Sequence, residues 1–422
     1  MPPSPQVAAG RSGPTPHFRS GDPIRGIASL GVVLCHAATS ALYVSGHFQQ
    51  FLDDGWSGPL GPAGAVIGAG VVGVPIFFVL SGFLIARPFL AAYVDGRPQP
   101  RVPAFLWNRA VRLFPAFWVA LAAALLIAGL QGRTVSDLPR MLLVSEPWAT
   151  SPLRFHLGQA WTLGVEARFY LAVPLIGSVL VLAARACGGR PRGRGTRLAL
   201  VAVLATTAAV AGFALVPRGN DLEYSQPLAH AHVLLLGLLV AAADLALAGR
   251  RSTSRRLNRA GACAVLAAFA TCVWLATRAP MSVSLLGLDG ADSELAILAA
   301  CGVVIVGVPA LLERLGAAPW RVLDTAPLRW LGGRAYGLYL YHFMLLTTFS
   351  HWLPTPDSYR WGTVILTVTA LPLSLVAAEL SWRLVEAPAL RLKRSAQRTP
   401  QPYLTEKARN FVVVPARGDA PS

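Results

Sequence analysis

The side chains with chemistry to offer are few, and they stand inside or beside long apolar runs: Arg25, His36, Ser81, Arg109, Arg112, Glu166, Arg168, His342 and Glu379. An ionisable group in hydrocarbon is costly to keep, so each charged or titratable one is a functional candidate by default. Arg25 and His36 are eleven residues apart. At 100° per residue that is three turns plus about 20°, so both project from one helix face, roughly 16 Å apart along the axis. An imidazole at that depth can exchange a proton near neutral pH, or it can be satisfied by a neighbouring helix; the spacing leaves both open. Arg109 and Arg112 stand three apart and share a helix face. Two guanidinium forks at a membrane edge can grip a phosphorylated ligand, or snorkel to headgroups and fix topology. Ser81-Gly82 lets another helix backbone approach closely. Glu166 and Arg168 are two apart, so they do not pair along a helix and each needs a partner elsewhere. Glu166 can orient an acceptor hydroxyl or a histidine, or belong to a structural ion pair. His342, directly after the tyrosine-rich segment Tyr336 to Tyr341, reads as packing or as support for another polar group.

These residues need a scaffold that lies in lipid. Hydrophobic residues are 54% of the 422 and charged residues 14%, too few charges to cover a soluble chain of this length. Apolar runs at 25–44, 65–86, 113–130, 162–184, 198–216, 228–248, 260–278, 295–312, 335–351 and 361–382 approach or exceed the ~20 residues that cross a bilayer core. They predict an all-α polytopic membrane protein of about ten transmembrane helices. Of the 37 Lys and Arg residues, 30 fall on alternate loops together with both chain ends, six fall on the other loops, and Arg168 lies within a span. By the positive-inside rule the N and C termini are cytoplasmic. Adding or dropping one span mid-chain would mix the two sets.

The net charge of +17 is therefore a topological signal. A nucleic-acid surface would need these arginines on one continuous face, so no nucleic-acid partner is expected. Residues 1–20, rich in Pro, Ser and Gly, read as a disordered tail rather than a cleaved signal peptide. Residues 21–392 read as one transmembrane domain, and 393–422 as a basic cytoplasmic tail too short for a second folded domain. The five cysteines show neither a disulfide framework nor a metal spacing. Cys263 and Cys272, nine apart, fall on opposite helix faces.

Taken in order, several segments resemble the acyltransferase 3 family of integral-membrane acyltransferases. They begin at Asp22-Pro23-Ile24-Arg25-Gly26-Ile27-Ala28 and run through His36, which reproduces the family's Arg-x10-His. Phe77-Phe78-Val79-Leu80-Ser81-Gly82-Phe83-Leu84-Ile85 follows, then Arg109 and Arg112 as Arg-x-x-Arg, with Pro115 and Trp118 beyond. Trp161-Thr162-Leu163-Gly164-Val165-Glu166-Ala167-Arg168-Phe169-Tyr170, Tyr339-Leu340-Tyr341-His342 and Glu379 to Pro388 complete the set. The resemblance covers roughly 20–392. Pro23 is an unusual neighbour for the first motif. The hydrolase-like C-terminal domain that many relatives carry has no expected counterpart here.

The resemblance implies transfer of an acyl group, often acetyl, from an acyl-CoA thioester to a hydroxyl. The acceptor would be a sugar of an envelope polysaccharide, a glycolipid or a glycosylated natural product. His36 matches the family's essential histidine and would be the catalytic base; Arg25, Arg109 and Arg112 match its arginines and would hold the donor phosphates. Ser81 would lie near the thioester. Glu166, the second catalytic candidate, is assigned to the acceptor end. Acyl-CoA serves as donor, with no metal, and the lipid bilayer is the third partner. The expected location is the cytoplasmic (inner) membrane of a bacterium, in keeping with a chain that has many arginines and two lysines, Lys393 and Lys407. On the outer loop 131–160 and just beyond it, Trp148, Phe155, His156 and Trp161 could stack on a sugar ring or serve as interfacial anchors. The alternative reading is a proton-coupled secondary transporter of an organic anion, to which buried His and Glu would also be suited.

Overall fold

The computed structural model describes residues 18–54, 56, 61–135, 138–145, 154–215, 227–252, 254–277, 292–317, 321–352 and 359–394. The expected tails before Phe18 and after Arg394 lie outside the described residues, as does Trp148. Among the described residues ten long helices carry the fold: α1 (Gly21–Val44), α2 (Gly73–Val94), α3 (Val102–Leu130), α4 (Trp161–Ala186), α5 (Arg194–Leu215), α6 (Pro227–Ala246), α7 (Arg255–Ala276), α8 (Asp292–Arg314), α9 (Ala326–Trp352) and α10 (Tyr359–Ser381). There is no strand among the described residues. Among the described residues seven stretches are long and apolar enough to cross a bilayer; six contain α1, α2, α3, α4, α7 and α10, and the seventh, Ala296–Arg314, lies within α8. The protein is an all-α, multi-pass membrane protein. α9 falls short on apolarity, because Tyr336, Tyr339, Tyr341 and His342 occupy its middle.

Several helices overrun the apolar stretches read from sequence. α3 starts at Val102, with a proline in its first turn, so Arg109 and Arg112 are helical residues and not loop residues. Proline fits there because the first amide hydrogens of a helix have no partner within it. α9 likewise starts at Ala326, nine residues before its apolar run.

Lipid tails are as apolar as leucine, so helix association depends on close packing. Two glycine contacts show it. A Cβ on Gly82 of α2 would stand 2.0 Å from the Leu234 carbonyl of α6, and one on Gly237 of α6 would stand 2.2 Å from the Val79 carbonyl of α2. A Cβ on Gly332 of α9 would stand 2.0 Å from the Asp22 carbonyl of α1. These contacts lock α2 to α6 and α1 to α9, the helices that hold the candidate site. On α7, Cys272 is buried and Cys263 exposed, as their spacing predicts.

Both ends of the described chain strap the bundle end at which α1 and α3 begin. The Phe18 ring meets Phe83 edge-on at 5.5 Å, and the Arg19 and Ser20 amides each donate to the Glu313 carboxylate at 3.0 Å. Beyond α10, the Trp107 indole donates to the Leu392 carbonyl at 2.8 Å. Asn108 bonds the backbone of Arg394 in both directions, at 2.8 and 2.7 Å.

Replacing Gly237 by leucine should therefore lower the apparent melting temperature in detergent by several degrees, since overpacking costs about 1–3 kcal/mol. Gly129→Ala, where a Cβ meets nothing within 4 Å, should leave it unchanged. Equal melting of the two variants would refute the close-packed α2–α6 contact.

Candidate active site

His36 of α1 and His342 of α9 meet inside the bundle. His36 Nδ1 and His342 Nε2 are 2.8 Å apart, and the two rings are nearly parallel, at 5°. His342 is buried, and its Nδ1 lies 3.0 Å from the Leu338 carbonyl one turn earlier. A carbonyl only accepts, so His342 Nδ1 carries a hydrogen. With both rings neutral, His342 Nε2 then offers a lone pair, and His36 Nδ1 must donate to it. The free lone pair of the pair is left on His36 Nε2, which makes no hydrogen bond among the described residues. The Phe343 ring packs edge-on against His36 at 5.2 Å. This chain of two imidazoles and a carbonyl selects one tautomer, as second partners of functional histidines generally do.

Next to the pair lies a cavity of about 900 Å³, within the usual size of a small-molecule site. Its inner wall includes Phe77, Thr162 and Tyr339, and Tyr339 is 5.8 Å from His342 ring to ring. The Tyr339 hydroxyl donates to the Gln159 carbonyl at 2.5 Å and lies 2.6 Å from the Thr162 hydroxyl. His36 and His342 are not among the lining residues; they stand just behind this wall. From the wall the cavity runs along α2, past Ser81, to Arg87. Val74 to Arg87 spans roughly 20 Å of helix.

Arg25, Arg109 and Arg112 all line the cavity. Arg25 is paired with Asp22 at 2.8 Å. Arg109 rests on two aromatic faces, Phe105 at 5.4 Å and Tyr170 at 5.7 Å, yet its buried Nε has no hydrogen-bond partner. Arg112 makes no hydrogen bond or ion pair to any described residue. Buried polar groups are almost always satisfied, so an unmatched guanidinium facing a cavity calls for an anion.

Glu166 lies on this same wall and not beside His36. Its Oε1 accepts from Ser81 Oγ and from the Tyr170 hydroxyl, each at 2.7 Å. The carboxylate is thereby fixed near Arg109 and Arg112, and Ser81 is a ligand of Glu166 before it is anything else. The remaining candidates are placed as follows. Glu379 is taken by Arg334 at 2.7 Å and Arg383 at 2.5 Å, outside the cavity. Trp161 packs inward on His230, ring centres 4.7 Å apart, and on Phe78 at 6.0 Å. His156 is buried, 3.2 Å from the Gln131 side chain. Among the described residues no cluster of His, Cys, Asp and Glu is able to hold a metal.

The structure also brings in residues that sequence reading missed. Arg87, Asp244 and Arg314 form a second charged cluster on the cavity wall. Lys393, on the strap pinned by Asn108, comes close enough that partial burial, then the charges of Arg112 and Arg109, hold its pKa below the usual lysine range. In the sequence Arg87 stands just past the apolar run 65–86, and Lys393 at the start of the basic segment 393–422, with no motif to mark either.

The family model described as an acyltransferase domain matches residues 21–379. The chain belongs to the acyltransferase 3 family. It is 26% identical to the peptidoglycan O-acetyltransferase OatA of Listeria monocytogenes, over 76% of this chain and 51% of that protein. It is 24% identical to nodulation protein 10 of Rhizobium leguminosarum, over 76% of this chain and 83% of that one. It is 26% identical to the acyltransferase MdmB of Streptomyces mycarofaciens, over 91% and 95%. The chain spans about half the length of the peptidoglycan O-acetyltransferases it matches. No solved structure matches it. Membership of the acyltransferase 3 family does not favour the carrier alternative.

In this acyltransferase 3 protein the Tyr170 ring and hydroxyl have separable roles. Tyr170→Phe removes one hydrogen bond to a charged carboxylate and should cost about 1.5–3 kcal/mol, read as a lower melting temperature. Tyr170→Leu should cost more, because the face under Arg109 goes as well. Equal melting of the two would mean that Arg109 is not held by the ring.

Proposed function

We propose that the protein is a membrane O-acyltransferase that moves an acyl group, often acetyl, from an acyl-CoA to a hydroxyl of a glycan or glycoside. The observation that carries this reading is one cavity joining unmatched Arg109 and Arg112 to the wall behind which His36 and His342 are paired. Family membership and the O-acetyltransferase names of relatives support the reaction class. The glycan acceptor follows from the peptidoglycan named for two of those relatives.

On this reading the donor's phosphates rest on Arg109 and Arg112, with Lys393 and Arg25 adding positive charge. The arm that carries the thioester lies along α2 past Ser81 and Glu166. Its carbonyl carbon arrives at Tyr339 and Thr162, where a shift of the Tyr339 side chain opens the wall to His36. His36 Nε2 removes the acceptor hydroxyl proton as the oxygen attacks the thioester carbon; a C–O bond forms and the C–S bond breaks. The proton passes to the departing thiolate, so one ester and one free thiol result. His342 holds His36 in the tautomer whose lone pair is free, the role an orienting group has beside a histidine base. The charge asymmetry of the loops supports an arrangement with the donor end of the cavity in the cytoplasm.

The test compares purified wild type with His36→Ala in nanodiscs, reading free thiol released from acetyl-CoA and longer acyl-CoAs with host lipid and glycan extract added. Release that depends on extract and falls by about 10²–10⁴-fold in the variant is the expected result. Equal release from both proteins would remove His36 as base. His342→Phe, which leaves His36 free to take either tautomer, should lower kcat with little change in KM for the donor. A change confined to KM would sink the orienting role.

A further inference from the structure

We infer that Arg87 and Arg314 form a second anion subsite, one that takes the 3′-phosphate of the donor nucleotide and selects coenzyme A thioesters over donors lacking that phosphate. The inference rests on the acyl-CoA reading above. Arg87 of α2 and Arg314, the last residue of α8, converge on Asp244 near the end of α6, and all three line the cavity. Arg87 Nε is 3.2 Å from Asp244 Oδ2. Arg314 Nε is 3.7 Å from Oδ1 and donates to the Asp244 backbone carbonyl at 3.1 Å. Asp244 is buried.

Three features distinguish this cluster from a plain tie between helices. First, it holds two cations and one anion, so it is left with a net positive charge inside a cavity; a tie needs only one arginine, and a second, largely desolvated one is costly. Second, both arginines meet Asp244 through Nε. Their terminal nitrogens make no hydrogen bond to any described residue, and that is the edge by which a guanidinium grips phosphate. Third, the other carboxylates of the cavity mouth are already engaged. Glu313 accepts from the Arg19 and Ser20 amides and the Ser20 hydroxyl, Asp324 pairs with Arg329 at 2.6 Å, and Asp22 with Arg25.

The order of groups along the cavity matches the order of groups in the donor. Ser81 and Glu166 mark the level of Arg109, and Arg87 lies about 9 Å further along α2 toward the bundle end. Arg314 terminates α8 at that end. In coenzyme A the diphosphate lies next to the pantetheine arm and the 3′-phosphate lies beyond it. The inner pair, Arg109 and Arg112, therefore takes the diphosphate, and the outer pair takes the monoester.

The experiment uses the full chain in nanodiscs and measures binding of coenzyme A and of 3′-dephospho-coenzyme A by calorimetry, then kcat/KM for their acetyl thioesters. Wild type should favour the 3′-phosphorylated ligand by about tenfold or more, the worth of one charge-assisted contact. Arg87→Gln and Arg314→Gln should each lower affinity for coenzyme A and leave the dephospho form unchanged, so that the preference collapses. Arg87→Lys should keep part of it. Equal affinity of wild type for the two ligands overturns the inference, and so does an equal loss for both in the variants, which is the signature of a structural tie. Failure to bind either ligand would overturn the inference and the acyl-CoA reading together, whereas binding both without preference would overturn the inference alone.

Discussion

The hydrogen bond between His36 and His342 is the contact on which the site's geometry depends. It joins α1 to α9 within the bundle, between a buried His342 and a half-buried His36. Leu338 fixes the hydrogen on His342, His342 fixes the hydrogen on His36, and the only ring nitrogen left without a partner belongs to His36. Through two rings, the backbone carbonyl of a helix sets which nitrogen of His36 keeps its lone pair free. The close contact of Gly332 with the Asp22 carbonyl brings the two helices near enough for the bond to form.

Charge in the remainder of the bundle is distributed by the same constraint. Where an arginine has no ligand to meet, it is paired or stacked: Arg334 lies between Trp330 and Trp382, at 5.3 and 5.2 Å, and donates to Glu379. Where the cavity runs, guanidinium groups are left with open donor edges. A protein that had only to cross the membrane would gain nothing from Arg109 resting on aromatic faces with its Nε unsatisfied. An unsatisfied guanidinium on a cavity wall is the arrangement that an anionic ligand would complete.

The two straps at the bundle end give the same region a second layer. The N-terminal one is held through Glu313 and Phe83, and the C-terminal one through Trp107 and Asn108. Each closes on helices that also supply cavity arginines, so the placement of the segments 18–20 and 391–394 and the arrangement of the basic wall are linked.

Sequence alone determined the membrane character and the helical class, because hydrocarbon demands long apolar segments. It determined that Arg25 and His36 share a face, since helical periodicity is local. It also marked Arg109 and Arg112 as a pair, for the same reason. Tertiary structure alone decided what those side chains meet. His342 lies 306 positions from His36, and nothing in either segment says that the rings touch. Glu166 accepts from Ser81 and Tyr170, partners that its own segment does not name, because a carboxylate in a bundle goes to the donors that packing places within reach. Arg87, Asp244 and Arg314 come from three helices and carry no motif, so their cluster exists only once α2, α6 and α8 pack together. Periodicity is read along one helix, but partners are chosen across helices, and that choice is a property of the packed bundle.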